Sequence, residues 1–238
     1  MLIPSAADAN HKAWMYRLLT VVADDMLLSS NLFFKGGTCA AMRGFLDRFS
    51  VDLDFDLAHE SQMGKIKSHL EKSFDRLGLV IHDQSKNYLQ YFLKYESPPH
   101  TRNTLKIDIN FPIPKNNEYE PVRFNELDRI IRCQTLETMF ANKLIAVMGR
   151  FQKNGSVAGR DIFDIHSFLI KGYSFKSEII EELSGKSVQK YIQELKVFIE
   201  KHFSQTDIDE DLNHLLPAVQ FRRMRKVLKQ EVLAFLPY

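Results

Sequence analysis

With 238 residues, 45% of them hydrophobic, the chain is long enough to fold as one large domain or two small ones around a hydrophobic core. Its 32 basic and 30 acidic residues nearly cancel, which excludes the bulk charge of a nucleic-acid coat protein or a membrane-surface binder. Because it has only two cysteines, Cys39 and Cys133, far apart, and no apolar window with the length of a membrane span, the sequence favours a reducing, cytoplasmic location without a membrane partner.

The first half of the chain alternates between helical and strand patterns. Apolar residues recur at helical spacing from about Ala9 to Leu28, which predicts an amphipathic helix that Lys35-Gly36-Gly37 ends in a turn. A short helical piece, CAAMRGFL, follows. The segment SVDLDFDL then alternates strictly and predicts a half-buried strand with its aspartates on one face. Further on, the patterns predict one helix and three strands: KIKSHLEKSFDRLG closed by Gly78, then LVIHD, YLQYFLKYE and TLKIDINF.

The second half of the chain is predominantly helical. After the short pieces VRF and RIIRC, long stretches with helical periodicity begin at Leu136.

The closely spaced strands of the first half favour antiparallel pairing. The sequence therefore predicts an α+β fold with two domains, in which residues 1–135 form a core with a mixed sheet and residues 136–238 form a mostly helical domain.

The acidic strand is the first candidate for chemistry. Asp52 and Asp54 lie two residues apart, so their side chains leave the same face roughly 6 to 7 Å apart at the backbone. Without a cation the two charges repel each other. Carboxylates at this spacing suit Mg²⁺ chemistry on nucleotides, because the metal must bridge protein oxygens and phosphate oxygens. Taken alone, the same pattern is also typical of a surface strand with a solvated acidic face.

A glycine pair precedes this strand. Gly36 and Gly37 allow the backbone to approach a phosphate closely, and Thr38 offers a hydroxyl donor at the start of the short helical piece. The alternative interpretation is an ordinary helix stop and tight turn. Because a phosphate-binding loop and a metal-binding strand each supply what the other lacks, their succession favours metal-dependent phosphate chemistry.

A third carboxylate would complete a two-metal site. In LKIDINF, Asp108 lies on the polar face of its strand and faces Asp52 and Asp54 if the two strands are neighbours. Asp56 is the competing candidate. Since Asp56 lies one step further along the acidic strand, we expect it outside the metal centre.

Four segments of the chain together resemble the motifs of a known family: KGGTCAAMRGFLDRFSVDLDF, KIDINF, FANKLIAVMGR and GRDIFDI. In order and spacing, over about residues 30 to 170, they resemble the AbiEii/AbiGii toxin family, nucleotidyltransferases of the DNA polymerase β-like superfamily. The resemblance implies a polymerase β-like nucleotidyltransferase domain followed by helices that complete the active site and bind the acceptor. It implies transfer of a nucleoside monophosphate from an NTP, with Mg²⁺ or Mn²⁺, to an acceptor hydroxyl that in several relatives belongs to the 3′ end of tRNA.

The resemblance also implies roles for residues in the first domain. The positions that match the nucleotide-binding loop are Lys35, Gly36, Gly37 and Thr38. The positions that match the metal-binding and catalytic carboxylates are Asp52, Asp54 and Asp108. For Asp108 the resemblance leaves two roles open, that of a metal ligand and that of the base.

In the second domain the resemblance points to one helix lysine and one acidic motif. Lys143 matches the family's lysine, and with Arg150, which lies on nearly the same helix face, it would neutralise the triphosphate. Asp161 or Asp164 matches the last acidic motif and would orient groups or act as a base. The alternatives are a lysine that snorkels at the edge of the core and an intrahelical ion pair between Arg160 and Asp164.

Partners and alternative functions follow from the same resemblance. The expected function is that of the toxin in a toxin–antitoxin pair, with a winged-helix antitoxin as a partner. The alternatives are a nucleotidyltransferase acting on a small molecule or a protein, and a non-catalytic nucleotide- or RNA-binding module. In the last helix, FRRMRKVLK interleaves basic and apolar residues, which suits either an RNA backbone or a solvated helix face.

Overall fold

The computed structural model describes residues 8–86 and 88–237, and contacts divide the chain into two compact units. The first unit contains the residues up to Gly44, Phe49–Ile113 and Tyr119–Gln134. Its helices are α1 (Asp8–Asp24), α2 (Met26–Asn31), α3 (Gly36–Met42) and α4 (Met63–Leu77), with a 3₁₀ turn at Glu60–Gln62. Its strands are β1 (Leu32–Lys35), β2 (Asp52–Leu57), β3 (Val80–Gln84), β4 (Leu89–Lys94), β5 (Thr104–Asn110), β6 (Tyr119–Phe124) and β7 (Arg129–Gln134).

Within the described residues, these strands form one seven-stranded mixed sheet in the order β3-β4-β5-β2-β1-β7-β6. Strand β2 lies in the middle, antiparallel to β1 and parallel to β5. The antiparallel pairing predicted among the later strands is confirmed for β3 with β4 and for β4 with β5. One face of the sheet is apolar, with Leu53, Phe55 and Ile107 buried, and Tyr91 packs against Phe74 of α4 with ring centroids 5.1 Å apart. Burial of this apolar face stabilises the unit through the hydrophobic effect.

The start of the chain differs from the sequence-based prediction in two places. The helix predicted over Ala9 to Leu28 is divided into α1 and α2. The division arises because the Asp25 carboxylate accepts hydrogen bonds from the N–H groups of Leu27 and Leu28, at 2.9 and 3.0 Å, and so caps α2. The glycine pair then follows strand β1 and not the helix, since a four-residue strand between β2 and β7 is too short to stand out in the sequence.

The second unit contains Phe45–Arg48, Pro114–Glu118 and the chain from Thr135 onward. Its helices are α5 (Leu136–Asn154), α6 (Gly159–Ile170), α7 (Ser177–Ser184), α8 (Val188–His202), α9 (Gln205–Leu212) and α10 (Ala218–Phe235). Helix α6 contacts α5, α9 and α10. The helical pattern predicted for this half is confirmed, and α9 is an additional helix that begins with a capping box at Ser204. No helix in the described ranges is both long enough and apolar enough to cross a bilayer.

A buried histidine joins α1 to the sheet of the first unit. His11 has no exposed surface; its Nε2 lies 2.8 Å from the Val51 carbonyl oxygen and its Nδ1 lies 2.5 Å from the Tyr95 hydroxyl oxygen. Because a carbonyl can only accept, we assign the proton to Nε2, and the single proton of the Tyr95 hydroxyl lies between two acceptors, His11 Nδ1 and the Arg102 carbonyl oxygen at 2.9 Å. Burial lowers the pKa of His11 below its ordinary value, since desolvation disfavours the charged ring.

We expect this histidine to make the free energy of unfolding fall in mild acid. The pKa of His11 is lower in the folded protein than the ordinary value of 6.5, so below that value the unfolded chain binds more protons. The stability from His11 is therefore full above 6.5 and is lost as the pH falls toward the folded pKa. Denaturant unfolding at about pH 7.5 and about pH 5.5 measures the difference. The His11→Gln variant should show a smaller difference than the wild type, whereas His82→Gln, on exposed β3, should match the wild type; equal differences in all three would contradict the expectation.

Candidate active site

Three carboxylates lie on the polar face of the sheet in the first unit. Asp52 and Asp54 are on β2, and the parallel pairing of β2 with β5 aligns Asp54 with Asp108. Because β2 and β5 are neighbouring strands, Asp108 lies on the same face of the sheet as the other two aspartates. All three residues are half-buried. We call the part of the sheet that carries them the carboxylate face.

The carboxylate face concentrates negative charge. Burial, together with the negative charges of Asp52 and Asp108, raises the pKa of Asp54 to about 6 against the opposing effect of Lys35 and Lys106. Like charges that lie this close are unfavourable unless a cation offsets them. The arrangement therefore favours a bound cation.

The donors suit a hard divalent cation, since they are carboxylate oxygens. In residues 8–86 and 88–237, no three side chains among His, Cys, Asp and Glu are gathered so as to hold a metal ion by themselves. Asp108 instead accepts hydrogen bonds from Lys106 Nζ at 2.8 Å and from Gln90 Nε2 at 2.9 Å. Mg²⁺ is commonly held by one or two carboxylates together with substrate phosphates, and Asp52 and Asp54 fit that arrangement. The role of Asp108 as a third ligand stays a prediction.

Gly36 is required by the carboxylate beside it. Its φ of +76° lies in the left-handed region, which glycine adopts without strain. A Cβ at this position would overlap the Oδ2 atom of Asp54. The backbone at the start of α3 thus lies directly against the carboxylate face, and Gly37 is buried next to it. This close approach suits a phosphate-binding loop, although contact of Gly36 and Gly37 with nucleotide stays a prediction.

The Thr38 hydroxyl is engaged within the protein. Thr38 has no exposed surface, and its Oγ1 donates to the Asp52 carbonyl oxygen at 2.5 Å. The Ser50 hydroxyl oxygen lies 2.9 Å from the same Oγ1. In the observed geometry Thr38 holds the backbone where β2 begins, while its contact with the triphosphate stays a prediction.

Lys35 is held on the carboxylate face by Asp56. Its Nζ lies 2.5 Å from Asp56 Oδ1, and Asp56, only 1% exposed, also accepts from Tyr119 Oη at 2.6 Å and from Gln134 Nε2 at 2.8 Å. The strand pattern places Asp56 on the polar face of β2, yet Asp56 is buried because these three donors surround its carboxylate. The pattern could not reveal the donors, since they come from three other strands.

Two aspartates in the second unit are completely buried among cations. Asp161 and Asp164 lie one turn apart on α6 and have no exposed surface. Lys143 Nζ of α5 lies 2.6 Å from Asp161 Oδ1 and 2.8 Å from Asp164 Oδ2. Arg48 donates to Asp164 through Nε at 2.6 Å and through Nη2 at 2.8 Å. Arg150 Nε lies 3.0 Å from Asp161 Oδ2, and we call these five residues the buried ion-pair cluster.

The cations determine the charge state of this cluster. Burial alone raises the pKa of both aspartates, but Lys143 and Arg150 lower it for Asp161, and Arg48 and Lys143 lower it for Asp164, so that both values end below the ordinary one. Both carboxylates are therefore ionised at neutral pH. Three cations then surround two anions, which leaves the cluster with positive charge in excess.

Sequence reasoning selected four members of the cluster and missed Arg48. The side chain of Lys143 is 14% exposed and that of Arg150 is 42% exposed, and their predicted contacts with the triphosphate stay predictions, as do the roles of Asp161 and Asp164. A signal for Arg48 was present in the sequence. It stands between Leu46 and Phe49, both buried, and a charged residue in an apolar context needs a partner.

The basic run on α10 is partly used inside the second unit. Arg225 forms an ion pair with Asp209 at 2.7 Å, and Lys229 donates to the carbonyl oxygens of Glu200 and Phe203, where α8 ends. Two of the five basic residues that suit an RNA backbone therefore have structural partners. The other three, Arg222, Arg223 and Lys226, are exposed.

Comparisons with known proteins give a family and a fold. The family model described as nucleotidyl transferase AbiEii toxin, Type IV TA system, matches residues 17–235. A search of curated proteins found no significant match. The resemblance noted in the sequence is thus confirmed over most of the chain.

Among solved structures, a candidate nucleotidyltransferase from Helicobacter pylori is similar with a TM-score of 0.61 and 21% identity, over 98% of this chain and 97% of that one. JHP933, also from Helicobacter pylori, gives 0.60 and 21% over 98% and 95%. MenT4, a nucleotidyltransferase toxin from Mycobacterium tuberculosis, gives 0.59 and 14% over 97% and 85%. These likenesses confirm the predicted α+β nucleotidyltransferase fold with its mixed sheet and mostly helical C-terminal half.

Proposed function

This chain belongs to the AbiEii family of nucleotidyltransferase toxins, and on that premise we propose that it transfers a nucleoside monophosphate from an NTP to an acceptor hydroxyl in a metal-dependent reaction. The observation that carries this proposal is the carboxylate face. Asp52 and Asp54 leave β2 side by side, Asp108 is aligned with Asp54 on β5, and Gly36 brings backbone against Asp54. A pure binding module would have no need to gather carboxylates that repel each other.

Residues of the first unit have separate roles in the proposed reaction. Asp52 and Asp54 would hold the cation, and Thr38 fixes the Asp52 backbone. A bound divalent cation, Mg²⁺ or Mn²⁺, would neutralise charge on the triphosphate and lower the pKa of the acceptor hydroxyl. Lys35, held by Asp56, adds a positive charge for the phosphates on the same face.

We propose that Asp108 accepts the proton of the acceptor hydroxyl. Lys106 and Gln90 donate hydrogen bonds to its carboxylate, so the cation would be bound by the other two aspartates. The acceptor oxygen forms a bond to the α-phosphorus, the bond from that phosphorus to the β-phosphate breaks, and pyrophosphate leaves. In the second unit, we propose that the positive charges of Lys143 and Arg150 stabilise the phosphates. Asp161 and Asp164 hold that lysine in position.

For the acceptor we propose the 3′ end of tRNA in the cytoplasm, as the resemblance to tRNA-modifying relatives implies. The family description places the chain in a toxin–antitoxin system, and we propose a winged-helix antitoxin as its partner. The exposed residues Arg222, Arg223 and Lys226 on α10 are available for an RNA backbone in this proposal.

The experiment that tests the function is a transfer assay. The purified protein is incubated with Mg²⁺, total cellular RNA and cellular protein, and each NTP is supplied in turn with its label on the α-phosphate or on the γ-phosphate. We expect an α-label on a band of tRNA size and no γ-label, because pyrophosphate carries the γ-phosphate away. The Asp52→Asn/Asp54→Asn variant should give no labelled band, whereas Asp83→Asn, which removes an exposed carboxylate from β3, should label as the wild type does.

The outcomes separate the alternatives. An α-label on protein would keep the nucleotidyltransferase and overturn the tRNA acceptor. A γ-label on any band would contradict nucleotidyl transfer. Labelling that survives in the Asp52→Asn/Asp54→Asn variant would remove the carboxylate face from the mechanism.

A further inference from the structure

We propose that Phe33, Tyr119 and Arg132 form a nucleobase subsite that stacks the base of the NTP beside the carboxylate face. The inference rests on the proposed function and deepens it, because it names the part of the first unit that contacts the base. None of the three residues is one of the metal-binding, phosphate-binding or acidic positions that carry the family resemblance. Each is on a different strand, β1, β6 and β7 respectively.

Strand register places the three side chains on the same face as the aspartates. Phe33 lies opposite Asp56 in the pairing of β1 with β2, and Asp56 shares its face with Asp54 because the two are separated by one residue. Tyr119 lies opposite Gln134 in the pairing of β6 with β7, and Arg132 shares the face of Gln134 for the same reason. The hydrogen bonds from Tyr119 and Gln134 to Asp56 agree with this placement.

The three side chains form a contiguous surface. The rings of Phe33 and Tyr119 have centroids 4.6 Å apart, and the Arg132 guanidinium carbon lies 5.1 Å from the centroid of the Phe33 ring. Phe33 and Tyr119 are half-buried, and Arg132 is exposed. Because the Tyr119 hydroxyl is bound to buried Asp56, the aromatic pair is held in place before any ligand arrives.

The chemistry of this surface suits a base. Aromatic rings and guanidinium planes are the groups on which proteins stack nucleobases. In residues 8–86 and 88–237, Arg132 has no carboxylate partner, so its charge and its outer face are available to a ligand. Lys35 binds the same Asp56 carboxylate as Tyr119, which puts a cation for phosphate next to the surface for a base.

An arginine over an aromatic ring can also serve the fold alone, and the chain offers a matched example. On α1, the exposed Arg17 guanidinium lies 4.8 Å from the centroid of the Trp14 ring, in the same unit but on a helix and not on a strand of the sheet. The Arg17→Ala variant therefore removes the same kind of stack without touching the proposed subsite. It is the control for Arg132→Ala.

The experiment measures equilibrium binding of each NTP and of inorganic tripolyphosphate, in the presence of Ca²⁺, to the full chain. We expect Arg132→Ala and Phe33→Leu to weaken NTP binding about ten- to a hundredfold and to leave tripolyphosphate binding unchanged, because only the NTP has a base to stack. Arg132→Lys, which keeps the charge and loses the plane, should weaken NTP binding as well. Thermal unfolding of each variant shows whether it is folded.

Equal weakening of NTP and tripolyphosphate would overturn the subsite, since the lost contact would then be to phosphate. Unchanged NTP binding in folded Arg132→Ala and Phe33→Leu, or an equal effect of Arg17→Ala, would overturn it too. In each of these cases the proposed function stands. A wild-type protein that binds neither NTP nor tripolyphosphate would instead contradict the proposed function, and the subsite with it.

Discussion

Replacing Gly36 by alanine should reduce nucleotidyl transfer by at least about a hundredfold in protein that still folds. The added methyl group would overlap Asp54 Oδ2, so the carboxylate has to move away from the place where we propose that it binds the cation. A displacement of about 1 Å in a catalytic site is enough to lower the rate by that factor. Alanine at a φ of +76° adds backbone strain of about 1–2 kcal/mol.

The chain contains a matched control for the strain alone. Gly44 has a φ of +79°, and a Cβ there would meet no atom within 4 Å. The Gly44→Ala variant should therefore lose a similar amount of stability and keep its transfer activity. Thermal unfolding and kcat/KM of both variants, measured with α-labelled NTP, check the comparison. The steric argument fails if the Gly44→Ala protein loses as much activity as the Gly36→Ala protein does.

Replacing Arg48 by methionine should lower the free energy of unfolding by about 3–5 kcal/mol. Arg48, 3% exposed, gives Asp164 two hydrogen bonds. Without them Asp164 keeps only Lys143 as a cationic partner within the buried ion-pair cluster. A buried carboxylate that loses one of its two cationic partners carries a desolvation cost that the remaining lysine offsets only in part. Denaturant unfolding of the variant measures the loss.

Arg225 provides the control for this second prediction. It donates to Asp209 through Nε and Nη2 at 2.7 and 2.8 Å, which is nearly the geometry of Arg48 on Asp164. The difference is solvent, because the Arg225 side chain is 51% exposed. The Arg225→Met variant should therefore unfold at nearly the same denaturant concentration as the wild type. Similar losses for Arg48→Met and Arg225→Met would show that burial does not set the strength of these pairs.

The sequence predicts the parts of the candidate site that are local. The strict alternation in SVDLDFDL predicts β2 and the common face of Asp52 and Asp54, since strand periodicity is a property of neighbouring residues. The position of Asp108 on the polar face of its strand follows in the same way. The register that aligns Asp108 with Asp54 does not, because it depends on a pairing between strands about fifty residues apart.

What the sequence could not predict are the partners that come from distant segments. Asp56 looks like Asp52 and Asp54 in the strand pattern, yet it is buried because Lys35, Tyr119 and Gln134 donate to it. Short β1 was missed for a related reason, since its stability comes from the strands on either side and not from its own four residues. Helical periodicity, in contrast, predicted α5 and α6 from their own residues.

The path of the chain constrains how such an enzyme can change over evolutionary time. Phe45–Arg48 and Pro114–Glu118 belong to the second unit, although each is surrounded in sequence by the first. A crossover between related genes at codon 135 would thus deliver Asp164 from one parent and Arg48 from the other. Hybrids would keep the ion pair only when both parents already encode it. Exchange of the helical half as one block is therefore expected to preserve this pair only if the short upstream segment that contains Arg48 is exchanged with it.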